Sequence, residues 1–182
     1  MNKDVMFSSK DQTWSTPISL FNRLNKEFNF TLDPCCLPDS AKCQKYFTPE
    51  DNGLIQDWSN DIVFMNPPYN DMYRWVEKAY NESQKGATVV CLIPARTDTK
   101  YWYDFCMRAS EIRFIKGRLK FGNSDNSAPF PSAIIIFRPT INNLIVTPYS
   151  SYITYYNPII FNKPFVPIYL EQNTLIDAIT FE

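Results

Sequence analysis

The stretch "DIVFMNPPYND", residues 61–71, is the part of the sequence that decides the fold. Residues 62–65 are four consecutive apolar residues, a pattern that is typical of a short buried strand. Two prolines follow at once, and because proline fixes φ and lacks a backbone N–H, regular structure must end there. The segment predicts a strand that ends in a stiff corner, with the amide of Asn66 and the ring of Tyr69 at its tip.

Strands and helices alternate on either side of this corner. From Met72 onward apolar side chains recur at helical spacing as far as Gly86, which is a natural helix stop. Thr16 and Pro17 resemble a helix start, a capping residue followed by a first-turn proline. The same criteria predict helices over 17–28 and 71–86, a further helix capped by Thr97, and strands over 30–33, 62–65, 87–95, 111–115 and 132–137.

This order of elements predicts an α/β fold, in which a mostly parallel sheet carries helices on both faces. No helical pattern separates the strands at 111–115 and 132–137, so we expect them to pair as a long hairpin. The hairpin would add an antiparallel strand at the edge of the sheet.

Length and composition indicate one globular domain. The chain has 182 residues, of which 45% are hydrophobic, and this suffices for one core of ordinary size. No apolar run approaches the roughly 18 residues of a membrane-spanning helix, and the N-terminus lacks the apolar segment of a signal peptide. Five cysteines without a CxxC pair, in a chain with no histidine, favour free thiols over a metal site.

The net charge of −1 conceals a basic segment. Residues 96–120 carry seven basic and three acidic side chains, whereas the rest of the chain is acidic. Such a segment is typical of a surface that contacts phosphate, although an ordinary solvated surface would have the same composition.

The corner Asn66-Pro67-Pro68-Tyr69 has a chemical use. It presents two hydrogen-bond acceptors, the side-chain oxygen of Asn66 and the carbonyl of Pro67, which together can hold both hydrogens of an NH2 group. Tyr69 adds a flat face for the ring that bears the amine. Two acceptors would localise the lone pair of an aromatic amine, so that its nitrogen can attack an electrophilic methyl group without a tuned general base.

The wider pattern "WSTP … FTLDPCC … GLIQDW … VFMNPPY … LIPARTDTKYW … GRLKFG … APFPSAIIIF", over residues 14–138, resembles the phage DNA N6-adenine methyltransferase (Dam-like) family. The resemblance implies a Rossmann-like methyltransferase fold, S-adenosylmethionine as cofactor and an adenine of double-stranded DNA as methyl acceptor. It also implies action in the cytoplasm of a bacterial host or phage-infected cell. Residues 1–140 would form the catalytic domain, and 141–182 a C-terminal extension that contacts DNA or covers the sheet and is not independent.

The resemblance also assigns residues to roles. The catalytic motif is Asn66, Pro67, Pro68 and Tyr69. The cofactor contacts are Trp14, Thr16, Pro17, Asp33, Pro34, Asp57 and Trp58. The residues against the flipped base or the DNA are Phe121, Arg118, Lys120, Arg96 and Lys100.

Several of these residues have an ordinary structural alternative. Asp33 would then be a turn aspartate, Asp57 a cap, Trp14 a core anchor, and Phe121 a strand-end residue of the core. The chain also departs from the methyltransferase pattern, because Asp33 is followed by Pro34 and two cysteines where a glycine-rich turn is usual. The cofactor loop must therefore have another shape.

Three other functions fit the same residues. Methylation of the 4-amino group of cytosine and of a glutamine amide in a protein both present a planar NH2 group. Asparagine at the first motif position favours adenine over cytosine, and the basic segment favours nucleic acid over protein. A catalytically inactive binding module would keep the fold but have a filled or missing cofactor pocket.

Overall fold

The structure is a computed structural model that describes residues 15–122 and 126–139, together with the backbone of residues 168–170. The helices are α1 (Ile18–Phe28), α2 (Met72–Lys85) and the short α3 (Lys100–Asp104). The strands are β1 (Leu32–Asp33), β2 (Lys45–Tyr46), β3 (Ile62–Met65), β4 (Thr88–Pro94), β5 (Glu111–Ile115), β6 (Ser132–Phe137) and β7 (Ile168–Leu170). In the described part of the chain, no helix is long and apolar enough to cross a bilayer.

All seven strands belong to one sheet, in the order β2-β1-β3-β4-β6-β5-β7. Strands β2, β1, β3 and β4 are parallel neighbours, and β6 runs antiparallel to both β4 and β5. Because β1 and β3 are parallel neighbours, their carboxyl ends lie at the same edge of the sheet, where ligands bind in open α/β folds. The expected mostly parallel sheet with an antiparallel strand is confirmed.

The antiparallel strand occupies a different place from the one expected. The sequence pattern placed it at the edge of the sheet, whereas β6 lies between β4 and β5, and β7 pairs with the outer side of β5. The reason is that every residue of β6 is buried. A strand that is apolar on both faces is more stable inside a sheet than at an edge exposed to water.

Side chains that alternate along β4 separate two cores, one on each face of the sheet. Val89, Cys91 and Ile93 pack with α2 and α3, whereas Val90 and Leu92 pack with α1. The four buried residues of α1 are Leu20, Phe21, Leu24 and Phe28, which repeat at helical spacing. The helices therefore cover both faces, as expected.

Local details differ from the sequence-based expectations at three places. The helix expected to be capped by Thr97 begins only after Thr99 and ends at Asp104. A short 3-10 turn follows it at Cys106–Arg108. Strand β2 lies in a region that shows little periodicity. Pro17, and not Thr16, is the N-cap of α1, and the carbonyl of Pro17 accepts the first helical hydrogen bond from Phe21.

A buried carboxylate links α2 to the segment before β3. Glu82 is fully buried and accepts hydrogen bonds from Lys78, Lys85 and the backbone N–H of Trp58. Burial by itself would raise the pKa of Glu82, but these three donors outweigh it and hold the pKa below its usual value. Because a depressed pKa in the folded state stabilises the fold only while the group is charged, this contribution is lost as the pH falls.

We expect Glu82→Gln to lower the free energy of unfolding at pH 7 by about 1–3 kcal/mol, because the charge that the two lysines surround is lost. The difference from the wild type should shrink as the pH falls through the pKa of Glu82, where the wild-type carboxylate is protonated too. Urea unfolding between pH 3 and pH 7 measures this difference, with Glu77→Gln, a half-buried position on the same helix, as control. A penalty that stays constant across this range would contradict the expected role.

Candidate active site

A cavity of about 400 Å³ opens where the carboxyl ends of β1 and β3 meet. Asp33 and Pro34 line it from the end of β1, and Asn66, Pro67 and Pro68 line it from the end of β3. Ser15 and Thr16, which precede α1, form part of the same wall. The volume lies within the roughly 300–1,000 Å³ of small-molecule sites.

The carboxamide of Asn66 is held at both ends. Its Nδ2 donates to the hydroxyl oxygen of Thr16 at 3.0 Å, and its Oδ1 accepts from the hydroxyl of Tyr69 at 3.4 Å. Asn66 is half-buried and lines the cavity, so it is not a core residue. The carboxamide therefore meets the cavity in a defined orientation.

The two prolines differ in what their carbonyls do. The carbonyl of Pro68 accepts a hydrogen bond from the backbone N–H of Asp71 at 3.4 Å. Within the described residues no hydrogen bond is made to the carbonyl of Pro67, which lines the cavity. The corner thus offers the carbonyl of Pro67 and the Oδ1 of Asn66 as acceptors on adjacent residues.

Tyr69 closes the corner beside the cavity. Burial raises the pKa of its hydroxyl well above the usual value, so the phenol stays neutral. Its ring meets Phe130 edge to face, with ring centroids 5.4 Å apart. Tyr69 and Phe130 therefore form an aromatic pair at the tip of β3.

Asp33 is both a cavity wall and the organiser of the loop that follows it. Its carboxylate accepts from the backbone N–H of Cys35 at 3.5 Å and of Lys42 at 3.1 Å. Burial raises the pKa of Asp33, and these hydrogen bonds offset part of that rise. The structure thus gives Asp33 the geometry of a turn aspartate while leaving it on the cavity wall.

The loop after β1 obtains its shape from a glycine elsewhere in the chain. A Cβ added to Gly53 would lie 2.0 Å from the carbonyl oxygen of Pro34, and only glycine allows this approach. Gly53 lines the cavity, as do Cys35, Cys36, Asp39 and Lys42, none of which was among the predicted site residues. Gly53 replaces the glycine-rich turn that is missing after Asp33.

Asp57 and Trp58, which the family pattern predicts as cofactor contacts, do not line the cavity. Asp57 is exposed and accepts from the backbone N–H and the hydroxyl of Ser59, both at 3.1 Å, as a turn cap does. Trp58 is buried in the core, stacks on Trp75 and donates its indole N–H to the carbonyl of Gly53 at 3.0 Å. Trp58 holds Gly53 in place from behind the cavity wall.

Two further predicted cofactor contacts, Pro17 and Trp14, belong to the segment around the start of α1. Pro17 is half-buried at the start of α1 and is not part of the cavity wall. Trp14 lies outside the described residues. Among the predicted contacts of the "WSTP" segment, Thr16 is thus the one that the structure shows on the cavity wall, where Ser15 joins it.

Phe121, which the family pattern places against a target base, is buried in the core beside α1. Phe130 lies between Phe121 and Tyr69, with its ring centroid 6.3 Å from that of Phe121. Phe130 is half-buried, so it is the aromatic side chain that accompanies Tyr69 at the surface. The sequence signal that could have identified it is its position just before β6, in "APFPS".

The predicted basic residues occupy two segments near the cavity edge of the sheet. Arg96 follows the end of β4 and is exposed, as are Arg118 and Lys120 between β5 and β6. Lys100 is exposed too, but its ammonium is paired with Asp104 and donates to the hydroxyl of Tyr73. Arg96, Arg118 and Lys120 are therefore exposed basic side chains near the edge of the sheet that carries the site.

Comparisons with known proteins identify the relatives of this chain. The family model described as DNA N-6-adenine-methyltransferase (Dam) matches residues 4–157. The chain is 33% identical over 149 residues to the DNA N-6-adenine-methyltransferase of Haemophilus phage HP1 (strain HP1c1), covering 76% of this chain and 86% of the phage protein. It is 29% identical over 108 residues to the protein of the same description from Escherichia phage T1, covering 58% and 45% of the two chains.

Proposed function

Since the chain belongs to the DNA N-6-adenine-methyltransferase (Dam) family, we propose that its cavity binds S-adenosylmethionine and that the corner at Asn66 receives the target adenine. The enzyme is a DNA adenine-N6 methyltransferase. The observation that carries the proposal is that Asn66 and Pro67 line the same cavity as Asp33, and that no described residue donates a hydrogen bond to the carbonyl of Pro67.

The cavity fits such a cofactor in size and in chemistry. Its volume of about 400 Å³ suits a nucleoside-sized molecule. The carboxylate of Asp33 can accept a hydrogen bond from an ammonium group, and Asp39 and Lys42 add charged groups of both signs to the same wall. We assign Asp33 and Pro34 to the cofactor, and we place Thr16 on the cavity wall next to Asn66, to which its hydroxyl is bonded. Asp57, Trp58 and Pro17 do not line the cavity, so we leave them out.

The corner performs the remaining chemistry with its own acceptors. S-adenosylmethionine supplies a methyl group bonded to a positively charged sulfur. The Oδ1 of Asn66 and the carbonyl of Pro67 accept the two hydrogens of the N6 amine and favour the tetrahedral form of its nitrogen. When the cofactor is bound, the lone pair of N6 would form the new bond to the methyl carbon while the carbon–sulfur bond breaks and its electron pair passes to sulfur. One N6 proton would then pass to water.

An adenine can reach this corner only if it leaves the DNA stack, since a base inside the duplex cannot enter a cavity at the end of a strand. We propose that Tyr69 and Phe130 hold the extruded base by stacking and edge contact. The two rings meet edge to face, and both side chains are half-buried next to the tip of β3. Phe130 thus takes the role that the sequence pattern gave to Phe121.

We expect Phe130→Ala to reduce methylation about 5- to 100-fold, because loss of one stacking partner costs about 1–3 kcal/mol per base. Its stability should change less than that of Phe121→Ala, since Phe121 is buried in the core and Phe130 is half-buried. Initial rates on duplex DNA and urea unfolding of both variants separate the two roles. Full activity in Phe130→Ala would remove this residue from the proposed base site.

The exposed basic residues outside the cavity are assigned to DNA by their position. We propose that Arg96, Arg118 and Lys120 contact phosphates of double-stranded DNA, because they are exposed near the edge of the sheet that carries the corner.

Residues 1–140 form the catalytic domain in this proposal. Residues 141–182 stay attached to it, which the pairing of β7 with β5 supports. The enzyme would act in the cytoplasm, where bacterial and phage DNA is found.

The test uses purified full-length chain, methyl-labelled S-adenosylmethionine and unmethylated duplex DNA, followed by digestion to nucleosides. We expect label in N6-methyl-2′-deoxyadenosine. Label in N4-methylcytosine would support the cytosine alternative, and label in added protein would support the glutamine alternative. Absence of transfer despite cofactor binding would support an inactive module, although the open cavity beside Asn66 argues against it.

A further inference from the structure

Thr16 does not do what its position in the sequence suggests. A threonine before a proline at a helix start usually caps the helix with its hydroxyl. In this chain the structure shows no side-chain cap at α1, and Pro17 is the N-cap. The hydroxyl of Thr16 faces Asn66 instead, fifty residues away in the sequence, and accepts from its Nδ2 at 3.0 Å.

The orientation of the Asn66 carboxamide matters because its two ends have opposite properties. Oδ1 accepts hydrogen bonds and Nδ2 donates them, so only Oδ1 can hold an N–H of an amine. A carboxamide turned by 180° would direct Nδ2 at the amine, and two donors would face each other. A partner that accepts from Nδ2 on the far side satisfies the group in the productive orientation.

We infer that Thr16 is a positioning residue for methyl transfer, whose hydroxyl oxygen holds the Nδ2 of Asn66 so that Oδ1 is presented to the target amine. This inference rests on the proposed function. Thr16 is only 5% exposed, so water cannot readily take the place of its hydroxyl. The hydroxyl of Tyr69 donates to Oδ1 and supports the same orientation from the other end.

The backbone around Thr16 is fixed by contacts of its own. The carbonyl of Ser15 accepts a hydrogen bond from the backbone N–H of Gly122 at 2.8 Å, which joins the segment before α1 to the connection between β5 and β6. The helix itself begins two residues later, with Leu20 and Phe21 packed against the sheet. Thr16 therefore lies between two fixed points, the hydrogen bond at Ser15 and the start of α1. A residue that orients the side chain of Asn66 needs such a fixed backbone.

The experiment compares Thr16→Val, which keeps the shape and removes the hydroxyl, with Thr16→Ser, which keeps the hydroxyl and removes the methyl group. We expect kcat of Thr16→Val to fall about 10- to 100-fold. The dissociation constant for S-adenosylmethionine, measured by calorimetry, should change less than threefold. Thr16→Ser should retain at least about a third of the wild-type kcat. The exposed Ser19→Ala on α1 controls for loss of a hydroxyl nearby.

Each outcome decides the inference. Wild-type kcat in Thr16→Val overturns it, as does a loss that lies wholly in cofactor affinity, because Thr16 would then act on the cofactor and not on Asn66. A Thr16→Ser variant as slow as Thr16→Val also overturns it, since packing of the methyl group would then be the cause. A wild-type chain that methylates no adenine overturns the proposed function itself and is recognised before any variant is made.

Discussion

Asn66→Ala is expected to lower the rate of adenine methylation by at least about 100- to 1,000-fold while the chain still folds. The size of the loss follows from removal of one preorganised hydrogen-bonding partner of the reacting group. The carbonyl of Pro67 would remain, but one acceptor cannot hold both hydrogens of the amine. Single-turnover rates with saturating S-adenosylmethionine and DNA measure the effect on the chemical step.

Folding of this variant should be nearly normal, because Asn66 is half-buried at a strand tip and packs in neither core. Loss of its hydrogen bond to Thr16 should cost about 1 kcal/mol of stability. Asn70→Ala, an exposed change in the same corner, serves as control and should keep the wild-type rate. An unfolded Asn66→Ala protein, or one with undiminished transfer, would refute the role of Asn66.

Gly53→Ala should remove the cofactor site by a steric effect. The added Cβ would lie 2.0 Å from the carbonyl oxygen of Pro34 and 3.3 Å from the ring of Trp75, so the backbone of the loop after β1 must move. Because Pro34 and Gly53 both line the cavity, this movement changes its wall. We expect a stability loss of about 3 kcal/mol and a cofactor dissociation constant raised at least about tenfold.

The comparison for Gly53→Ala is Ile55→Ala in the same turn, where the side chain is 73% exposed and its removal should alter neither property. Calorimetric titration with S-adenosylmethionine measures the affinity, and urea unfolding measures the stability. A Gly53→Ala protein that binds the cofactor as tightly as the wild type would show that the loop after β1 is not part of the binding site.

The structure also explains why Asp57 and Trp58, which the family pattern predicts as cofactor contacts, do not line the cavity. Asp57 caps its own turn through Ser59, and Trp58 enters the core against Trp75. These interactions hold both side chains away from the cavity. The contribution of this segment is indirect, since the indole of Trp58 supports the carbonyl of Gly53.

The sequence by itself determined those features that depend on consecutive residues. An apolar run followed by Asn66-Pro67-Pro68-Tyr69 specifies a strand, a stiff corner and two adjacent acceptors, since prolines restrict the backbone regardless of the surroundings. The helix that begins at Met72 is likewise specified by its apolar spacing and by the glycine after it. For the same reason the α/β fold and the proline corner could be predicted before any coordinates.

Only the tertiary structure decided which distant side chains meet that corner. Thr16 reaches Asn66 because α1 packs on the sheet, and Phe130 rather than Phe121 reaches Tyr69 because Phe121 is taken up by the core. In the same way, packing between distant segments brings Gly53 against Pro34 and places β6 between β4 and β5. Such contacts depend on packing between segments far apart in the chain, and local sequence patterns carry no information about that packing.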